Sequence, residues 1–317
     1  MGIRVKLATT PDDLKSLTEV RHRVFVDEDG YLAPQGGRIV DFYDVLPTTS
    51  NVIALVNDEV VGGCRLTVDS TVGMPSDRFF DFRPHLPEGA RPASGSMMCV
   101  LRSARMAPRL IQGILKMLFY RAYAAGCTHL VAPLNPRIRP ILMRVGMKPV
   151  GEVFVDEKGL ETLPMVADLA DLSRGFNQFM QRQDVELWLD SFERAFFEDG
   201  EPILQEGTPG DEAFLLVGGR AEAVATDASG RVEVLQPFEI GDVFGELALL
   251  TERPRSATVR SIGATDAMVL RRADFHRQLE TVPHLATTLL RDVGDRFHEA
   301  IRNRSPRSGK HDDSSAM

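Results

Sequence analysis

Apolar residues recur along the first half of the chain at spacings that predict alternating strands and helices. Residues 3–7 are predicted to form the first strand. Thr10 offers a capping hydroxyl, and Pro11 and two acids follow it, a combination that marks the start of a helix. The apolar side chains behind this start lie three or four residues apart and so share one helix face; they are Leu14, Leu17, Val20, Val24 and Phe25.

Further strand and helix patterns follow in an order that favours a mixed sheet with helices. Glycine ends two of the helical patterns, and an Asn-Asp pair separates the two strands of a hairpin. The predicted elements are a hairpin at 52–56 and 59–68, a strand at 96–106, a helix at 109–125, a buried strand at 128–132, a helix at 136–145, and final strands at 147–155 and 164–168. This order predicts an α/β mixed-sheet domain over residues 1–170.

The second half has shorter strand patterns separated by glycine-rich turns. Residues 173–197 have a helical pattern, so we predict a helical linker over 171–199. Residues 200–303 are predicted to form a β-barrel followed by two helices that Pro283 separates. The segment 304–317 is rich in serine, arginine and aspartate, which is typical of a disordered tail.

Composition narrows the classes of protein that this chain can represent. With 317 residues and a formal net charge of −8, the chain has room for two cores and does not resemble a general nucleic-acid or membrane-surface binder. No apolar run is long enough to span a bilayer, and the residues after Arg302 are too few for a helix-turn-helix. The three cysteines form no metal-type or redox-type pair, so we expect a cytoplasmic protein without a structural metal. The sequence is also compatible with a homodimer.

One stretch, residues 244–259, combines the features of an anion-binding site. Gly245 opens a short apolar run, Pro254 ends it, and Arg255 follows directly. A strand, short helix and strand point backbone N–H groups into one concavity, and a guanidinium matches a phosphate there. A carboxylate such as Glu246 fits beside a phosphate when it accepts a hydrogen bond from a sugar hydroxyl, and Ala248 is small enough for a close approach of the ligand.

This stretch closely resembles the phosphate-binding cassette of cyclic-nucleotide-binding domains, and the turns at 206–211, 218–219 and 237–242 also fall where that family has them. The resemblance implies a jelly-roll barrel with cAMP or cGMP as its ligand. It implies that Glu246 holds the ribose 2′-hydroxyl and that Arg255 holds the cyclic phosphate. Ser256 is compatible with either adenine or guanine as the base of the nucleotide. The implied contact residues are Gly245, Glu246, Leu247, Ala248, Arg255, Ser256 and Ala257.

Charged residues of the first domain suggest a second site. Asp41 and Asp44 lie three apart in a long polar loop. Long loops without regular structure are often functional, and an acid could orient or deprotonate an amine. The same residues could instead form a structural network of ion pairs.

The first domain resembles the GCN5-related acyltransferase fold in two features: the helix at 109–125 crosses over to the strand at 128–132, and a Gly146-Met147 pair follows. Within that fold, the chain is more similar to the autoinducer synthases and the N-acyl amino acid synthases. The resemblance implies catalytic roles for Asp41, Asp44, Arg21, Arg65 and Arg102. It also implies that Arg109 and Gly113 bind the phosphate of the acyl donor, either an acyl-CoA or an acyl carrier protein. Arg102, Arg105 and Arg109 would attract an acidic carrier protein.

Two functions remain open from the sequence. The first is an N-acyltransferase that a cyclic nucleotide regulates, with the C-terminal helices and the linker carrying the signal. The second is a nucleotide sensor whose first domain binds a ligand or partner without catalysis. Cys99 stands where the family has a strand glutamate, and this departure favours the second function.

Overall fold

A computed structural model of the protein describes residues 2–33, 36–157, 159–171, 193–226, 230–251 and 253–281, together with positions 287, 291 and 294. The predicted linker helix at 173–192, the second C-terminal helix at 283–302 and the tail at 304–317 lie outside these residues, apart from those three positions. No described helix is long and apolar enough to cross a membrane.

Most of the described strands belong to one mixed sheet. The strands are β1 (Ile3–Leu7), β2 (Thr49–Val56), β3 (Glu59–Val68), β4 (Pro92–Val100), β5 (His129–Leu134), β6 (Lys148–Pro149), β7 (Phe154–Val155), β8 (Glu161–Asp168), β9 (Glu193–Phe197), β10 (Pro202–Leu204), β11 (Glu212–Thr226), β12 (Val232–Phe238), β13 (Val243–Phe244) and β14 (Thr258–Arg271). The order along the sheet is β12-β11-β14-β9-β1-β2-β3-β4-β5-β8-β6.

The described helices are α1 (Pro11–His22), α2 (Pro108–Ala124), α3 (Arg139–Arg144), α4 (Glu246–Thr251) and α5 (Arg272–Thr281). A π-helical turn, Arg23–Glu28, extends α1, and short 3-10 turns lie at Phe42–Val45, Pro75–Arg78, Arg83–His85, Arg102–Ala104 and Pro136–Ile138. Thr10 caps α1 through a reciprocal capping box with Asp13, as its sequence predicts.

Helices cover both faces of the first domain's sheet. Successive residues of β2 point to opposite faces, so that Val52 packs in the core under α2 whereas Ile53 packs in the core under α1. Leu110, Ile114 and Leu118 supply the buried side of α2. The predicted mixed α/β arrangement is therefore confirmed.

Strand β4 differs from its prediction at both ends, and it pairs with β5 over only its first residues. The strand stops at Val100, because the N–H of Arg102 donates to the carboxylate of Glu28 at 2.8 Å and starts a 3-10 turn. The prediction of a strand through residue 106 was therefore wrong. β4 and β5 run parallel and pair only from Pro92 to Ser94; beyond Ser94, β4 continues its pairing with β3 alone.

The two halves of the chain share a strand. Residues 193–197, predicted as the end of a helix, form β9, which is hydrogen-bonded to β14 on one side and to β1 on the other. This pairing corrects the helix prediction, since a strand between two strands satisfies its backbone groups on both sides. The second half contains the antiparallel strands β9 to β14, and closure of these strands into a barrel stays a prediction, as do the domain boundaries.

Candidate functional site

Four of the five charged residues that the sequence singles out in the first domain form one chain of ion pairs. Arg21 donates from Nη1 to Asp44 Oδ1 at 2.8 Å, and Asp44 Oδ2 lies 3.2 Å from Nη1 of Arg65. Arg65 donates from Nη1 and Nη2 to the two carboxylate oxygens of Asp41, at 2.5 and 3.0 Å. Arg21 and Arg65 are almost fully buried. The sequence therefore contained the parts of this cluster, and the fold brings them together.

A 3-10 turn sets the direction of the two acids. Asp41 and Asp44 form a reciprocal capping box around the turn at 42–45, so that each carboxylate accepts a backbone N–H of the turn. The carboxylate of Asp41 keeps 36% of its side-chain surface exposed, whereas that of Asp44 keeps 8%. Asp41 is thus the solvent-facing end of the ion-pair chain, and Asp44 is its interior.

Three neighbours of these residues went unnoticed in the sequence because neutral side chains give no charge pattern to find. Asn51 accepts a hydrogen bond from Arg21 Nη2 at 2.6 Å, and Ser96 accepts one from Arg65 Nε at 3.0 Å. The ring of Tyr43 lies 5.5 Å from the guanidinium carbon of Arg65. All three nitrogens of Arg65 are thereby occupied, and its orientation is fixed.

Asp44 is held in its ionised form. Burial alone would raise its pKa, but the charges of Arg21 and Arg65 and the N–H of Asp41 outweigh burial and lower the pKa below its usual value. A carboxylate with a lowered pKa is a weak base. Asp44 therefore suits the orientation of neighbouring groups better than the removal of a proton.

Arg102 does not join this chain among the described contacts. Its guanidinium donates to the carbonyl of Glu28, and it is largely exposed, next to a second pairing of Arg105 with Asp29 at 2.7 Å. Its position at the start of a 3-10 turn, rather than inside a strand, accounts for this placement.

Cys99 is buried in β4, and burial raises the pKa of its thiol to about 11. A thiol with that pKa stays protonated at neutral pH. Cys99 therefore cannot replace a glutamate as a base.

Arg109 and Gly113 lie where α2 meets the second half of the chain. Arg109 donates to the carbonyl of Phe197, and its Nε lies 3.1 Å from Glu198. A methyl group on Gly113 would come within 2.8 Å of the ring of Phe196, so the glycine permits this close packing. Arg109 also lines a cleft of about 170 Å³ between α2, β11 and β14. A role of Arg109 and Gly113 in binding an acyl donor stays a prediction.

In the second half, Arg255 occupies a narrow slot between two glycines. Its Nη1 donates to the carbonyl of Gly245 at 2.7 Å, and its Nη2 donates to the carbonyl of Glu212 at 2.6 Å. A methyl group on Gly210 would stand 2.2 Å from its guanidinium carbon. Burial lowers the pKa of Arg255, while Glu212 and Asp211 oppose that effect. The guanidinium nevertheless stays charged, because an arginine pKa begins far above neutrality.

The other cassette residues differ in their exposure. Gly245 has a φ of +79°, which favours glycine, and Glu246 begins α4 with its side chain buried. Ala248 is buried and Leu247 is 40% exposed, while Ser256 is exposed and Ala257 is half-buried. Arg255 and Glu246 are thus both buried, and their roles towards a phosphate and a sugar hydroxyl stay predictions.

Two family models match the chain, and their ranges follow one another. One covers residues 16–168 and the other covers residues 194–282. Together the matches describe a fusion of an N-acyl amino acid synthase family domain with a cyclic nucleotide-binding domain. Residues 16–168 are a domain of the N-acyl amino acid synthase FeeM family, and residues 194–282 are a cyclic nucleotide-binding domain. Both resemblances inferred from the sequence are confirmed.

Curated relatives match the second domain. A cAMP-dependent protein kinase regulatory subunit of Dictyostelium discoideum is 36% identical over 115 residues, which are 32% of this chain and 35% of that protein. A cyclic AMP receptor protein of Thermus thermophilus is 30% identical over 118 residues, 37% of this chain and 55% of that protein. The chain thus spans only about a third to a half of the length of these relatives.

Solved structures also overlap with each half of the chain. The structure of FeeM, an N-acyl amino acid synthase from uncultured soil microbes, covers 54% of this chain and 92% of its own at 12% identity, with a TM-score of 0.46. The Thermus thermophilus catabolite activator protein covers 41% of this chain and 56% of its own at 25% identity, with a TM-score of 0.34.

Proposed function

We propose that this protein is an N-acyltransferase that moves an acyl group from a thioester to an amino compound, such as an amino acid, and that a cyclic nucleotide regulates it. The observation that carries the first part is the buried ion-pair chain from Arg21 to Asp41 inside a domain of the N-acyl amino acid synthase family. The second part rests on the slot of Arg255.

The chemistry requires an amine to attack a thioester carbonyl. A C–N bond forms, the C–S bond breaks, and the proton that the amine loses passes to the departing thiolate, which leaves as the thiol. Asp41 is the exposed carboxylate of the cluster, so it accepts a hydrogen bond from the incoming amine and orients it. Arg65 is fully engaged and serves to fix Asp41, while Asp44 keeps Arg65 and Arg21 aligned.

The acyl thioester lies between β4 and β5 in this proposal. The two strands pair only at their first residues, so the side of β4 that faces β5 beyond Ser94 offers backbone groups to a ligand. Backbone N–H groups there polarise the thioester carbonyl.

A carrier protein suits this opening as the donor. α3 and the turn before it follow β5 directly and carry three exposed arginines, Arg137, Arg139 and Arg144, beside exposed Met143. Arg102, Arg105 and Arg109, which the sequence suggested for this role, already face Glu28, Asp29 and Glu198. We therefore place the acidic carrier protein on the α3 surface.

The ligand of the second domain is cAMP in this proposal. The curated relatives of this domain are named as cAMP-dependent kinase regulatory subunits and a cyclic AMP receptor. Arg255 would meet the cyclic phosphate and Glu246 the ribose hydroxyl, as the resemblance implies.

Release of free thiol from acylated carrier protein or acyl-CoA, measured with a panel of amino acids and with or without cAMP, tests the proposal. Asp41→Asn should lower kcat/KM by about tenfold or more, since the variant keeps the shape but loses the charge that orients the amine. Asp12→Asn, an exposed acid on α1, is the control and should match the wild type. No thiol release with any donor, while cAMP still binds, would contradict acyl transfer.

That contrary result would support the second candidate, a nucleotide sensor without catalysis. The buried, protonated Cys99 at the position of the family glutamate is the observation that favours it.

A further inference from the structure

We infer that Glu212 and Arg4 form the mechanical connection through which the nucleotide site acts on the acyltransferase domain; this inference rests on the proposed function. Glu212 lies at the start of β11, and its backbone and its side chain contact different arginines. Its backbone carbonyl accepts a hydrogen bond from Arg255 Nη2 at 2.6 Å. Its carboxylate accepts two from Arg4, at 2.8 and 2.7 Å. One residue therefore contacts the phosphate-binding arginine and the first strand of the other domain.

The contact between Glu212 and Arg4 belongs to a closed ring of four charges. Arg4 Nη1 also donates to Glu193 at 2.9 Å, and Arg271 lies 2.6 Å from Glu193 and 3.4 Å from Glu212. The two glutamates are nearly buried, at 8% and 12% side-chain exposure. The pair of Arg4 with Glu212 is bidentate and the carboxylate of Glu212 is nearly buried, so a displacement of Glu212 moves Arg4 with it.

Arg4 is connected in turn to the ion-pair chain of the first domain. Arg4 lies on β1, which pairs with β2 along its whole length, and just beyond β1 the N–H of Ala8 donates to the carbonyl of Asn51 at 2.8 Å. The side chain of Asn51 accepts the hydrogen bond from Arg21 described above. The route from Arg255 to Arg21 thus consists of hydrogen bonds and one paired strand.

The nucleotide enters this route at Arg255. A cyclic phosphate competes for the same guanidinium nitrogens that now hold the carbonyls of Gly245 and Glu212. When Arg255 turns towards the phosphate, the start of β11 loses this tether and Glu212 shifts. Because Arg4 follows Glu212, the register of β1 and β2 around Asn51 changes, and the orientation of Arg21 changes with it.

Arg4→Gln tests the route, because the side chain of Arg4 pairs with Glu193 and Glu212 among the described residues and belongs to neither proposed site. The matched control is Arg260→Gln, which breaks a pair of 2.6 Å with Glu222 that lies within the second domain. Thiol release with and without cAMP gives the ratio of rates. We expect Arg4→Gln to bring this ratio to within about twofold of one, while cAMP binding by calorimetry persists, and Arg260→Gln to keep the wild-type ratio. If Arg4→Gln does not fold, Arg4→Lys takes its place, because lysine keeps the positive charge but cannot form the bidentate pair with Glu212.

A second readout does not depend on acyl transfer. Hydrogen–deuterium exchange of the full-length protein should show that cAMP changes the protection of β1 and β2 in the wild type and not in Arg4→Gln. Binding of cAMP without any change in these strands, or an unchanged rate ratio in a folded Arg4 variant, overturns the inference alone. Failure of the wild type to bind any cyclic nucleotide overturns the proposed function and this inference together.

Discussion

Arg255 owes its position to the absence of two side chains. Gly210 and Gly245 form the walls of its slot, and the guanidinium between them is held by two backbone carbonyls. A buried arginine with such support is ready to exchange neutral acceptors for a charged one. Its charge is worth more there than at the surface, since the surroundings are poorly hydrated.

Gly210→Ala should weaken cyclic-nucleotide binding by about tenfold or more, because the new methyl group would stand 2.2 Å from the guanidinium carbon and displace it. Gly218→Ala is the control, since its methyl group would meet its nearest neighbour at an ordinary 3.5 Å. Calorimetric titration with cAMP compares the two. Wild-type affinity in a folded Gly210→Ala variant would show that the slot is not the phosphate site.

The acid side of the stability profile should depend on Asp44. Its pKa is lowered in the folded protein, so the folded state binds its proton less readily than the unfolded state does. The stabilisation is therefore present at neutral pH and is lost as the pH falls through the range below about 4. Denaturant unfolding of the wild type and Asp44→Asn between neutral and acidic pH should show a shallower decline for the variant. Parallel declines would mean that other groups carry the effect.

At the scale of elements, the sequence predicts what neighbouring residues decide. The cap of α1 at Thr10, the turn at Asn57-Asp58 with positive φ values, and Gly126 after α2 with a φ of +72° are all present, because each depends on a few adjacent residues. Elements whose limits depend on distant residues were mispredicted. β4 ends where Glu28, 74 positions away, captures the N–H of Arg102.

The same distinction holds for the candidate sites. The charged residues at 21, 41, 44 and 65 and the cassette at 245–257 could be named from the sequence, because their residue types and positions match the two families that the sequence resembles. The sequence could not place Arg102 and Arg109 against Glu28 and Glu198, because those contacts arise from the packing of separate elements. Asn51 and Ser96 were missed since their side chains act only through the arginines that the fold brings to them.

The basic surface of α3 leads to a prediction about the donor. Arg137→Glu combined with Arg139→Glu should raise KM for an acylated carrier protein and leave kcat nearly unchanged, because acids are well tolerated near the start of a helix but would repel an acidic partner. KM for acyl-CoA should change little. Lys15→Glu, a charge reversal at an exposed position of α1, is the control and should keep the wild-type KM. Equal KM values in all three proteins would place the carrier protein elsewhere or exclude it as donor.

At the scale of the whole molecule, one sheet runs through both domains. β9 is bonded to β14 and β1, and the ring of Arg4, Glu193, Glu212 and Arg271 lies over the junction. Arg194, fully buried, adds a pair with Asp266 at 2.6 Å and packs its guanidinium 4.8 Å from the ring centre of Tyr120 on α2. A flexible tether alone would not need these contacts.

This junction leads us to expect reciprocal coupling of about 1–3 kcal/mol between nucleotide and acyl donor, which corresponds to a factor of roughly 5 to 150 in affinity. The dissociation constant of cAMP, measured with and without saturating donor analogue, should change by the same factor as that of the donor with and without cAMP. Identical constants in all four titrations would mean that the domains work independently.

The shared strand also determines how this protein can be divided. A cut at residue 199, where the sequence suggests that the linker ends, leaves β9 with the first domain. The backbone of Thr265–Met268 then loses its partner on one side, while β11 stays paired on the other. Both fragments then carry a bare strand edge, which other chains can extend. Recombinant halves of the molecule would tend to aggregate, and each would need the other, supplied in trans, to stay dispersed.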